Sequence, residues 1–419
     1  MLTNKKLLPA FVLITSLFFM WGLANNMTDT LLAAFKRIMS MTDFQTSWIQ
    51  IAFYGSYFCL ALPAAYLIKK YSYKQGVLLG LGLFIAGSLL FYPASQTMVY
   101  GHFLAALFIL AGGLSILETT ANPYILAMGP PETAVQRLNL AQSFNPIGSI
   151  TGVLLSKFLI LSQLNKATAE ERMNMDGSAL AAIQQEELSA VMTPYVGVAV
   201  LLLVIWITIF ITKMPNASDE SKLVKWGESF RRLFSQKHFV WGVVAQFFYV
   251  GAQIGIWSFT IRYVMLELNQ NEEQASTWYL VSLVLFMVSR FVCTALMKFI
   301  TPSKLLMILA IVAILLTGLV IFANGFTGVI ALVAISGCMS LMFPTIYGLA
   351  AEGLGEDTKI GGSVIIMSIL GGAVLTTIQG QVSDSTGSIK SAYWVPLICF
   401  IVVAFYGMIA GQRNKQTEI

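Results

Sequence analysis

Two acidic residues stand where a membrane would be driest. Of the 20 Asp and Glu in the chain, only Asp29 and Glu118 lie deep inside long apolar runs; the others fall in polar turns, tails or the ends of runs. An ionised carboxylate at a bilayer centre costs at least ~2.5 kcal/mol on insertion scales, and these side chains are too short to snorkel out as Lys and Arg do. Each must therefore be neutral, hydrated or paired. Two acids sharing one dry chamber cannot both stay ionised cheaply, so at least one of them can take up and release a proton in a working cycle.

Polar residues recur around these acids at helical spacing. Trp21, Asn25 and Asp29 follow one another every four residues, which puts them on one helix face with Asn26 beside them. Glu118 and Asn122 share a face in the same way, and Pro123 frees a backbone carbonyl one turn earlier. Asn139, Gln142, Asn145 and Ser149 form a stripe that Pro146 loosens, and Gln246, Tyr249, Gln253 and Trp257 form another. Ser336, Ser340 and Thr345 add to these, as do Ser363, Ser368 and Gln379. Amides facing lipid are unfavourable, so these faces are expected to line a common cavity.

The candidate binding residues are Trp21, Asn25, Asn26, Glu118, Asn122, Gln142, Asn145, Gln246, Gln253 and Trp257, with Asp29 and Glu118 coupling to protons. Such a cavity has many neutral donors and acceptors, several aromatic planes and no midplane cation. Amides and carboxylates match sugar hydroxyls, and Trp matches the C–H faces of the ring, so a neutral polyol fits better than an anion. Plainer readings stand beside this one. Membrane-buried amides such as Asn139 and Asn145 also tie helices together, and Trp21 and Trp257 could be packing residues. Arg290 reads as an inner-end anchor, and Lys157 and Arg262 as outer-end anchors.

The elements that must position these groups follow from composition. The chain has 419 residues, 57% hydrophobic and 11% charged, against about 25% charged in a soluble domain. The expected fold is an all-α membrane protein of twelve transmembrane helices in two six-helix bundles, near 8–35, 45–68, 75–93, 98–128, 136–162, 193–213, 239–265, 275–297, 304–323, 327–351, 361–382 and 391–411. Residues 1–213 form the first bundle, 214–238 a basic inter-bundle loop holding an amphipathic helix, 239–411 the second bundle and 412–419 a tail. Between the runs, 17 Lys and Arg fall on the side of the N-terminus and 5 on the other, which places both termini in the cytoplasm. The first 25 residues resemble a signal peptide, but their apolar run is too long and they are expected to be retained. Two halves around a midplane site suit alternating access. A modest net charge of +5 gives no reason to expect nucleic acid, and the four cysteines have no metal-ligand spacing. No His-Glu-x-x-His and no phosphate loop points to an enzyme.

Three motifs carry a more specific likeness: Asn25-Asn26-x-x-Asp29, Leu117-Glu118-Thr-x-Ala121-Asn122-Pro123, and Arg137-Leu138-Asn139-Leu140-Ala141-Gln142-x-Phe144-Asn145. Together with Pro344-Thr345-Ile346, Leu354-Gly355-x-Asp357-Thr358-Lys359 and Val382-Ser383-Asp384, the chain resembles the fucose/galactose/glucose:proton symporters of the major facilitator superfamily. The resemblance implies twelve helices in the bacterial inner membrane and proton-driven uptake of a monosaccharide; no cofactor and a monomer are expected. It implies that Asp29 is the proton-coupling carboxylate, that Glu118 binds sugar and assists coupling, and that Asn26, Gln142 and Asn145 contact the sugar. L-fucose is the leading substrate. Met342-Phe343 stand where a Gln-Tyr pair is found in the L-fucose transporter, a departure that bears on which sugar is bound. Galactose, glucose or N-acetylglucosamine are alternatives, as is a proton-coupled drug or metabolite exporter, to which Asn145-Pro146-x-Gly148 and Gly152 bear a faint likeness.

Overall fold

The computed structural model describes residues 7–38, 43–97, 99–159, 165, 171–172, 175–214 and 226–417; the side chains of helical residues 28–37, 43–47, 50, 157, 189–191, 193, 272 and 413–417 lie outside that description. The described residues form helices and turns, with no strand among them. Before the inter-bundle segment come α1 (Leu8–Ile38), α2 (Asp43–Lys70), α3 (Tyr73–Thr97), α4 (Tyr100–Ala127), α5 (Ala134–Gln142), α6 (Phe144–Leu159) and α7 (Gly177–Ile211). After it come α8 (Trp226–Ser235), α9 (Lys237–Leu268), α10 (Glu272–Leu296), α11 (Pro302–Phe322), α12 (Phe326–Met339), α13 (Met342–Ala351), α14 (Thr358–Met367), α15 (Gly371–Thr386), α16 (Ile389–Ala392) and α17 (Trp394–Thr417).

Eleven helical stretches among the described residues are long and apolar enough to cross a bilayer. The remaining crossing is broken at Ser143 into α5 and α6, of 9 and 16 residues. Pro146 has no N–H to offer the carbonyl four residues earlier, that of Gln142. The same chemistry breaks a crossing of the second half: Pro344 leaves the Ser340 carbonyl without its helical donor, and α12 gives way to α13. A 3₁₀ turn at Ser368–Leu370 separates α14 from α15.

One boundary differs from expectation. The sixth crossing begins at Gly177, well before residue 193, because Ala179, Leu180, Ala181, Ala182, Gln184, Gln185 and Glu186 are strong helix formers despite their polarity. Glu187 on that extension accepts two hydrogen bonds from Arg172, at 2.5 and 2.9 Å, with both side chains buried.

Glycine lets helices meet backbone to backbone in both halves. A Cβ at Gly148 would lie 1.9 Å from the Phe19 carbonyl oxygen, and one at Gly22 would lie 2.0 Å from that of Asn145. Only a hydrogen fits there, so α1 and α6 touch directly. The second half repeats the device between α9 and α15, where a Cβ at Gly371 would sit 2.0 Å from the Phe247 carbonyl oxygen. In the first half α4 lies at the centre, and every residue from Leu110 to Ile125 is buried.

Bonds between the halves concentrate at the end that carries the turns at 71–72, 128–130, 297–301 and 352–354. Gln136 Nε2 donates to the Thr294 carbonyl at 3.0 Å, Asn139 Nδ2 donates to Thr345 Oγ1 at 3.1 Å, and Lys359 Nζ sits 4.9 Å above the Tyr73 ring. At this end the amphipathic helix α8 straddles both halves. Trp226 stacks on Tyr66 of α2, and Arg232 donates Nε and Nη2 to the Asp357 carboxylate at 2.7 and 2.8 Å. That carboxylate, through its hydrogen bonds, holds the Arg232 guanidinium above its ordinary pKa.

Candidate functional site

Between the halves lies a cavity of about 220 Å³, smaller than the ~300–1,000 Å³ typical of sites for drug-sized ligands. The first half lines it with Trp21, Asn25 and Asn26 from α1, Tyr54 and Tyr57 from α2, Glu118 from α4, Gln142 from α5 and Asn145 from α6. The second half supplies Gln253 and Trp257 from α9, Tyr279, Phe286 and Arg290 from α10, and Phe343 from α13.

Three amides on the first wall are held by protein acceptors, one within its own helix and two from neighbouring helices. Asn26 Nδ2 donates to the Gly22 carbonyl at 3.1 Å, one helical turn back. Asn145 Nδ2 donates to the Phe18 carbonyl at 3.2 Å across the α1–α6 contact, which leaves its oxygen to accept from a ligand. Gln142 Nε2 donates to Asn122 Oδ1 at 2.9 Å. Glu118 is 8% exposed, and its Oε2 has no hydrogen-bond partner among the described atoms. An uncompensated buried oxygen of this kind costs about 1–3 kcal/mol, so a ligand hydroxyl or a proton that reaches it is bound well. Tyr57 stands beside the Trp21 indole and within electrostatic reach of Glu118. On the facing wall, the Trp257 indole N–H donates to Ser336 Oγ at 3.3 Å and its ring meets Phe286 edge-on at 5.0 Å.

Of the residues expected to bind substrate, Trp21, Asn25, Asn26, Glu118, Gln142, Asn145, Gln253 and Trp257 come together around the cavity. Asn122 and Gln246 are fully buried elsewhere. Asn122 sits behind Gln142 and orients it, while neither amide atom of Gln246 finds a partner among the described atoms. Asp29 continues the α1 helix one turn beyond Asn25; its side chain lies outside the described residues.

The expectation of a cavity without a cation is corrected. Arg290 is 3% exposed and lines the cavity, and so is no snorkelling anchor. Tyr279, Leu283, Phe286 and Arg290 recur at spacings of 4, 3 and 4, one face of α10, and that stripe was the signal to follow. Phe53, Tyr54 and Tyr57 of α2 were also missed, because aromatics in an apolar run look like lipid-facing filler.

Comparisons with known proteins identify the family and the fold. Residues 11–361 match the family model for the Major Facilitator Superfamily. The chain is 40% identical to an L-fucose-proton symporter of Haemophilus influenzae, over 98% of this chain and 99% of that one. It is 35% identical to a glucose/galactose transporter of Brucella abortus, over 96% and 94%. A crystal structure of the E. coli fucose:proton symporter FucP superposes with a TM-score of 0.90 at 38% identity, covering 97% of this chain and 99% of that one. The chain belongs to the major facilitator superfamily, in the branch that holds the L-fucose–proton symporters and the glucose/galactose transporters.

Proposed function

We propose that the protein takes up a monosaccharide together with protons by alternating access, with L-fucose as the leading substrate. One observation carries this reading: a buried acid with an unbonded oxygen, Glu118, faces a cavity whose other walls are neutral amides, aromatic planes and Arg290, whose donors are held by backbone carbonyls. Amides and the acid take the sugar hydroxyls, and Trp21 and Trp257 take its C–H faces. Asp29 is the proton-coupling carboxylate, protonated from the outer side. Sugar then binds, the halves rock, and sugar and proton leave together. The relatives' names, symporter for L-fucose and transporter for glucose and galactose, support this class of cargo.

The Lys and Arg bias places both termini and α8 in the cytoplasm of a bacterial inner-membrane protein. The end where the halves meet is then the inner one, and the cavity opens outward. We read 1–213 and 239–411 as the two bundles, 214–238 as the connecting loop and 412–419 as the tail. The proton gradient drives the cycle without a bound cofactor. One chain builds the whole cavity, so a monomer suffices. An exporter is not favoured, since Gly148 and Gly152 serve close packing against α1.

Cells expressing the protein in lightly buffered medium test the reading. Adding the cognate sugar from a panel of L-fucose, galactose, glucose and N-acetylglucosamine is expected to make the medium more alkaline. No pH response to any of the four, from protein shown to be in the membrane, overturns it.

A further inference from the structure

Arg290 has a setting that binding alone does not explain. It has no ion pair among the described residues, and its bonds go to backbone. Nη1 donates to the Gln142 carbonyl at 3.0 Å, Nε donates to the Ser340 carbonyl, and the guanidinium lies 4.5 Å from the centroid of the Phe286 ring. Both acceptors have the same origin. Gln142 stands four residues before Pro146, and Ser340 four residues before Pro344, so each proline removes the N–H that its carbonyl would otherwise accept. The two breaks belong to different halves. A planar guanidinium with its donors in a fixed fork can hold two such carbonyls at once.

We propose that Arg290 is a positioning residue of the transport cycle, pinning the α5–α6 break of one half to the α12–α13 break of the other at the floor of the cavity. Resting on the alternating-access reading above, the inference adds that this pin must release before the inner side opens. The reason is connectivity. The Gln136–Thr294 bond joins α5 to α10, which carries Arg290, the Asn139–Thr345 bond joins α5 to α13, and separating these elements pulls Gln142 away from Arg290 and Ser340.

Sided labelling tests this without any transport assay. Val135 packs against Gly348 across the halves, so Val135→Cys, in a background freed of the native cysteines, reports inner opening to an impermeant maleimide. Arg290→Lys keeps the charge but cannot reproduce the fork. It is expected to raise the labelling rate from the inner side by on the order of tenfold, as a lost charged hydrogen bond predicts. Wild-type labelling in Arg290→Lys protein that is monodisperse and keeps its Tm overturns the proposal. Should that variant not fold, Pro146→Ala and Pro344→Ala offer each carbonyl a helical N–H in competition with Arg290. Faster labelling in either supports the pin, and unchanged labelling in both overturns it. A shift in labelling from protein that moves no sugar would sink the proposed function and spare the pin.

Discussion

The two halves share a scaffold and differ in chemistry. Each packs a pair of crossings on glycine, α1 on α6 in the first half and α9 on α15 in the second. Yet the first half faces the cavity with Asn25, Asn26, Glu118, Gln142 and Asn145, and the second with Val250, Ile254, Phe286, Phe343 and Ile369 around a few polar groups. The contrast shows that a duplicated frame can divide the labour. On the proposed reading, one wall takes the sugar hydroxyls and the proton, and the other supplies an apolar face and, through Arg290, a tie between the walls.

The sharpest way to break that contrast is at the proposed coupling acid, Asp29. Asp29→Asn is expected to abolish proton-driven accumulation of sugar in vesicles while leaving sugar exchange intact. Retained accumulation would move coupling off the first half. The shared scaffold makes the next prediction. Gly148→Leu and its counterpart Gly371→Leu each force a side chain onto a carbonyl oxygen, and each should cost about 1–3 kcal/mol or more by overpacking, read as a fall in Tm in detergent. A large fall in only one of the two would show that the halves do not depend on close contact equally.

Binding should divide more finely. Glu118→Ala or Asn145→Ala is expected to weaken sugar affinity by roughly tenfold or more, as the loss of a buried hydrogen bond of about 1–3 kcal/mol implies, whereas Ile254→Ala should change it less. Calorimetry measures both, and equal losses on the two walls would erase the distinction. The smallest effect is expected in selectivity. Met342→Gln with Phe343→Tyr adds one polar group to the apolar wall and another in the buried layer behind it, and should shift the preference among hexoses by about two- to fivefold, toward the low end of what a net hydrogen bond of about 0.5–1.5 kcal/mol gives. Competition of unlabelled sugars against uptake of the best one reads that ratio.

The first wall was legible in the sequence because amides and acids stand out against apolar runs. The second was legible only at Gln253 and Trp257, since Phe286, Phe343 and Ile369 look the same whether they face lipid or a ligand. Asn122 and Gln246 show the limit of periodicity: a polar residue on the right helix is buried either in the cavity or behind it, and spacing alone does not separate the two. Arg290 was misread because a cation towards the end of a crossing normally snorkels, and nothing local reveals that two distant prolines leave it acceptors. The helical architecture followed from hydropathy, and proline chemistry gave a loosening near Pro146 where the crossing is in fact broken in two at Ser143. The start of α7 did not, because polarity was taken to end the helix where alanine and glutamine continued it.

The contact between α1 and α6 has a mechanical meaning. With no layer of side chains between the two backbones, there is no soft cushion to shear, and the helices must travel as one stiff lever. Asn25 and Asn26 on one arm and Asn145 on the other therefore keep their spacing as the lever swings. A cargo gripped by these three amides would be carried at constant grip, and release would depend on the opposite wall drawing away.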